Sequence, residues 1–216
     1  MVLPARTAPV LPAGPRSAAQ GKPQPGARAL GIMRSAMALL ILLSAAPAPG
    51  RAQASLVILA RHAEKAAPTG DSPLTSAGQG RAQALAQTLA DVHLAVVIVT
   101  QFQRTRLTAA PTALAQGITP LVVRAGPDFA AHAAAVAQAI DTLPTGSAVL
   151  VVGHSNTVGP IIAGLGGPSI PHLCDGEFST LLILDRRPGM AGLVHLLRAR
   201  FGAAEPPDAS LCHEHP

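Results

Sequence analysis

From Leu56 onward, short apolar runs rich in β-branched residues alternate with longer segments of Ala, Leu and Gln. This alternation predicts strand-helix-strand units on a mostly parallel sheet. Leu56 to Ala60, Ala95 to Thr100, Leu121 to Val123 and Ala148 to Val152 read as its strands. Between and after them, helices are predicted from Thr75, with Pro73 just before it, to about Ala90, and from Arg104 to Gln116 with a stop at Gly117. Two more run from about Asp128 to Leu143 and from about Thr157 to Leu165. Thr180 to Leu184 and Leu193 to Leu197 read as late strands joined through a turn at Pro188-Gly189. The expected fold is α/β, a three-layer α/β/α sandwich with a mixed, mostly parallel sheet. No internal repeat is visible, and the polar, proline-bearing stretch from Glu205 to Pro216 reads as a loose tail.

Open α/β sheets bind ligands at the carboxyl ends of their strands. Arg61-His62 closes the first predicted strand, Thr100 to Arg104 closes the second, and Gly153-His154-Ser155 closes the fourth. Three clusters far apart in sequence are therefore expected on one rim.

Charge changes the picture only after the leader is set aside. The 216 residues carry a formal net charge of +5, but all six basic residues before Arg61 lie ahead of the first carboxylate, Glu64. Ten Lys and Arg then face eleven Asp and Glu, so the chain from Ser55 is close to −1 and has no nucleic-acid footprint. Met33-Arg34, the apolar run Ala36 to Ala46 and Ala52-Gln53-Ala54 have the layout of a cleaved export signal. The run is shorter than the roughly 20 residues that span a bilayer, so no stable membrane insertion is expected. Met1 to Ile32, rich in Pro, Ala and Gly, reads as a disordered extension or a misassigned start. The expected organisation is thus extension plus signal over 1–54, one domain over 55–204 and a tail over 205–216, in a periplasmic or secreted protein. In an oxidising compartment Cys174 and Cys212 are a candidate disulfide.

The rim residues suit phosphoryl chemistry, which needs a nucleophile, fixed positive or N–H donors and an acid for the leaving oxygen. A neutral imidazole can attack, and two guanidiniums can clamp the oxygens. Four motifs carry a resemblance: Arg61-His62-Ala63-Glu64-Lys65; Thr100 and Arg104 followed by Thr108-Ala109; Val151-Val152-Gly153-His154-Ser155-Asn156-Thr157; and Leu74-Thr75-Ser76-Ala77-Gly78. In their order the chain resembles the histidine phosphatase superfamily, in the phosphoglycerate mutase-like branch that includes short bacterial phosphatases. It departs from the family's Arg-His-Gly by placing Ala63 where the glycine stands.

The resemblance implies that His62 attacks phosphorus and becomes phosphohistidine, that Arg61 and Arg104 bind the phosphate oxygens and that His154 joins them, with no metal ion or organic cofactor. It implies a small-molecule phosphate ester or a phosphoprotein as substrate. Lys65 and Arg106 read as rim or solvated charges. For the proton donor, Asp128 occupies the region from which related phosphatases supply a carboxylate, although it also reads as a helix N-cap. Glu177 is a rival, and a chain with no dedicated acid is a third reading. Two functional alternatives remain, a non-hydrolytic phosphate-binding module and a mutase-like phosphotransferase. Ser155 as an esterase nucleophile is disfavoured, because Thr157 stands where that elbow needs glycine. His172, Cys174, Cys212, His213 and His215 lack a recognised zinc spacing.

Overall fold

The computed structural model describes residues 54–186 and 194–205. Among the described residues six strands and four helices follow in the order β1 (Leu56–Arg61), α1 (Ser76–Thr88), β2 (Leu94–Val99), α2 (Gln103–Ala115), β3 (Leu121–Val122), α3 (Phe129–Asp141), β4 (Ala148–Gly153), α4 (Val158–Gly164), β5 (Thr180–Asp185) and β6 (His195–Arg200). They form one mixed sheet of order β3-β2-β4-β1-β5-β6. β1, β2, β3 and β4 run parallel, and β5 and β6 add an antiparallel edge.

Alternation along the central strands explains the three layers. Val57, Leu59, Val149 and Val151 face one side, where they pack with Val136 and Ile140 of α3 and with Ile161 and Ile162 of α4. Ile58, Ala60, Leu150 and Val152 face the other, with Leu85 of α1 and Ala109 and Ala113 of α2. Aliphatic and alanine side chains fill both cores, with Phe201 the one aromatic among the buried hydrophobic residues described. Local signals set the helix ends. Thr75 caps α1 by accepting from Gly78 N, and Gly117, at φ +65°, ends α2 with Ile118 N donating back to Ala113 O.

Boundaries differ from the sequence expectation by a residue or two, except at the last strand. β6 runs His195–Arg200 and so continues three residues past the expected end at Leu197. It is an exposed edge strand carrying His195, Arg198 and Arg200, so the apolar alternation that marks a half-buried strand is weak there. Leu193 and the Pro188-Gly189 turn lie outside the described residues, as do residues 1–53 of the predicted extension and signal and all of the tail beyond Glu205.

Candidate active site

Strand register brings the distant motifs together. In the parallel β1–β4 pair Arg61 lies opposite Gly153, and His62 N donates to Gly153 O at 2.9 Å, so His62 and His154 leave adjacent strands at the same level. Their rings meet edge to face with centroids 5.3 Å apart. β2 lies on the other side of β4 with Val99 opposite Val152, which brings Thr100 to His154. Thr100 Oγ1 and His154 Nε2 are 3.1 Å apart. Both histidines are buried, 4% and 8% exposed, but neither is sealed from solvent.

Hydroxyls hold this rim in place. Thr157 Oγ1 accepts from His154 N at 2.9 Å and fixes the turn between β4 and α4. Thr108 Oγ1 accepts from Ala63 N at 2.9 Å and ties the end of β1 to α2. Thr105 Oγ1 bonds Thr100 Oγ1 at 2.9 Å and donates to Phe102 O.

The two rings differ in what they offer. His62 Nδ1 lies 2.8 Å from Ala63 O. A carbonyl only accepts, so hydrogen-bond chemistry assigns the proton to Nδ1 and leaves the lone pair on Nε2. Desolvation by burial, with the charges of Arg61, Arg104 and Lys65 adding to it, pushes the His62 pKa down to about 3. Burial, followed by Arg104 and His62, likewise lowers His154 to about 3. Both imidazoles are neutral near pH 7, as a nitrogen nucleophile requires.

Each arginine is held against an aromatic ring. Arg61 Nη1 donates to Cys174 O and Asp175 O at 2.6 and 2.7 Å, and its guanidinium lies 4.3 Å from the Phe178 ring centre. Arg104 stacks 4.2 Å over Phe102. Among the described residues the Nε atoms of both arginines are buried without a hydrogen-bond partner. An unsatisfied buried donor costs about 1–3 kcal/mol and more when charged, so two of them on arginines close enough for their charges to interact suit an anion.

The acid candidates sit differently. Asp128 is exposed and caps α3, accepting from Ala131 N at 2.9 Å, and no hydrogen bond or ion pair of the described residues joins it to His62, His154, Arg61 or Arg104. Glu177 is buried and engaged by Cys174 N, by Thr180 Oγ1 and by Arg198 at 3.5 Å. Lys65 Nζ donates to Pro68 O, and Arg106 is exposed on α2. His172 and Cys174 form no metal-holding group among the described residues; Cys174 is not a free thiol. Cys212, His213 and His215 lie outside those residues. Sequence reasoning missed Phe102 and Phe178. In a chain with four Phe and no Trp or Tyr, Phe102 inside the second motif was the available signal, and Phe178, away from every motif, offered none.

Residues 57–127 match the family model of the histidine phosphatase superfamily (branch 1). No curated protein matches the chain. Among solved structures, it is similar to mycobacterial hydrolase 2, at 17% identity and TM-score 0.51 over 74% of this chain and 99% of that one. A mycobacterial glucosyl-3-phosphoglycerate phosphatase in complex with inorganic phosphate aligns at 14% identity and TM-score 0.51, over 69% and 98%. YhfR of Bacillus stearothermophilus aligns at 20% identity and TM-score 0.50, over 65% and 94%. These likenesses are of fold. The family-model match over residues 57–127 is separate from them and covers the first two rim clusters, Arg61-His62 and Thr100 to Arg104.

Proposed function

We propose that the protein is a phosphatase that hydrolyses phosphate monoesters through a phosphohistidine on His62. One observation carries this reading: an imidazole that keeps its lone pair on Nε2 lies within the fields of the buried Arg61 and the half-buried Arg104, whose buried Nε–H groups have no partner among the described residues. Nε2 of His62 attacks phosphorus, forming an N–P bond as the ester P–O bond breaks. The departing oxygen takes a proton from Asp128 or from water. Water then attacks the phosphoryl group, the N–P bond breaks, and inorganic phosphate leaves. Arg61, Arg104 and His154 surround the phosphoryl oxygens and gain strength as charge builds on them, in a site already shielded from bulk water. No step calls on a metal ion or organic cofactor. The export signal read in residues 1–54 adds the proposal that substrates are met outside the cytoplasm.

The test uses 4-nitrophenyl phosphate. Turnover inhibited by vanadate and insensitive to chelator is expected, with an acid-labile, base-stable phosphoenzyme on rapid quench. His62→Ala is expected to lower kcat by at least about a thousandfold, the scale of losing a nucleophile. Tight phosphate binding without turnover would leave a binding module, and return of the phosphoryl group to a second acceptor would indicate a mutase.

A further inference from the structure

The chain that follows the first motif folds back onto the second. Residues 65–74 form a hairpin-like loop: Lys65 and Leu74 bridge antiparallel, Ala66 N donates to Pro73 O at 2.8 Å, Ala67 N donates to Ser72 Oγ at 2.8 Å, and Gly70 turns at φ +72°. The loop lands on the start of α2. Asp71 Oδ1 accepts from Gln103 N at 2.7 Å, and Gln103 Nε2 donates to Asp71 O at 3.1 Å. Phe102, the residue at the helix cap, gives no side-chain cap bond, so Asp71 supplies that oxygen from another segment.

This clip sets a carboxylate at the mouth of the site. Gln103 stands between Phe102, whose ring is 5.4 Å from that of His154, and Arg104, which stacks on the same Phe102. Burial lowers the Arg104 pKa, and the charge of Asp71 opposes that shift, so the two charges feel one another. Across the site Asp175 Oδ1 lies 3.9 Å from Arg61 Nη2. Each arginine of the clamp therefore has an exposed carboxylate beside it. On the phosphate-ester reading, the transferring phosphoryl group would touch the guanidiniums directly. A second anionic group on the departing part of the substrate would sit farther out, against Asp71, with the partly buried Lys65 as the nearby counter-charge.

We propose that Asp71 is a specificity-determining residue, which biases the site towards phosphate monoesters with an uncharged or cationic leaving group and against those carrying a further carboxylate or phosphate. The inference rests on the phosphate-ester reading above.

Its test needs no turnover. Calorimetry with phenylphosphonate and 4-carboxyphenylphosphonate compares ligands of one shape that differ by one charge. Wild type is expected to favour the uncharged ring by roughly three- to tenfold at low salt, the scale of one partly screened charge pair. Asp71→Asn keeps an acceptor for Gln103 N and removes the charge, and is expected to bring the ratio close to one. Asp71→Ser repeats the test with a smaller acceptor. A wild-type ratio of one, or a preference that persists in both variants, overturns the inference. Failure of wild type to bind either phosphonate overturns the phosphate-site reading itself, a result distinct from loss of selectivity.

Discussion

The contact between His62 Nδ1 and Ala63 O divides the ring into a tethered nitrogen and a reactive one, and it does so with a backbone carbonyl that no side-chain substitution removes. The acid end of the reaction has no comparable fixture. Asp128 carries out a structural task, capping α3, that asparagine performs equally well. Asp128→Asn therefore separates the two roles. If the carboxyl only caps the helix, kcat for an alkyl phosphate, whose leaving oxygen needs a proton, is expected to stay within about twofold of wild type. A fall of a hundredfold for the alkyl ester, with 4-nitrophenyl phosphate unaffected, would identify Asp128 as the proton donor. The geometry favours the first outcome, with water supplying the proton.

Among the elements, α1 is docked by an absence. A Cβ on Gly78 would overlap the backbone carbonyl of Glu64, two residues past His62, whereas one on Gly80 in the same helix would meet nothing within 4 Å. Helix propensity alone makes alanine better than glycine at both positions by about 1 kcal/mol. Gly78→Ala is nonetheless expected to destabilise the fold by about 1–3 kcal/mol through overpacking, and Gly80→Ala to stabilise it by about 0.5–1 kcal/mol. Urea unfolding of the two variants checks this; equal shifts of one sign would remove the packing explanation for that glycine. The same contrast shows where sequence was informative. β1, β2 and β4 are nearly continuous apolar runs because helices cover both faces, and such runs stand out. β6 is exposed and basic, so the apolar pattern fades along it and its last three residues go unread. His62, His154, Arg61 and Arg104 were legible because each ends or follows a strand. The clips that hold them were not: Ala63 N reaches Thr108 across 45 residues, Arg61 reaches Cys174 across 113, and Asp71 reaches Gln103 across 32. No periodicity encodes a bond of that span.

Across the whole molecule, burying two neutral imidazoles has a cost that pH can reveal. His62 and His154 titrate near 6.5 in the unfolded chain and near 3 in the folded one. Between those values the unfolded state holds more protons, so folding stability rises with pH there and is lost as pH falls from about 6.5 towards 3. Each ring contributes a slope of up to about 1.4 kcal/mol per pH unit in that window. His132, buried on α3 with Nδ1 3.0 Å from Arg124 O, is shifted the same way, mainly by desolvation, and adds to the trend. Urea midpoints measured at pH 7, 5.5 and 4.5 are therefore expected to fall steeply. The double variant His62→Gln, His154→Gln cannot titrate at those positions, so its midpoints should fall less, which separates the imidazoles from the carboxylates. Inorganic phosphate should act in the opposite direction, because it binds the folded state alone and its negative charge favours the protonated rings. Phosphate is thus expected to raise the pH 4.5 midpoint more than the pH 7 midpoint when the two are compared at equal free dianion concentration. A double variant as acid-sensitive as wild type, or phosphate protection with no pH dependence, would mean that the two rings are not the buried, neutral pair that faces the anion.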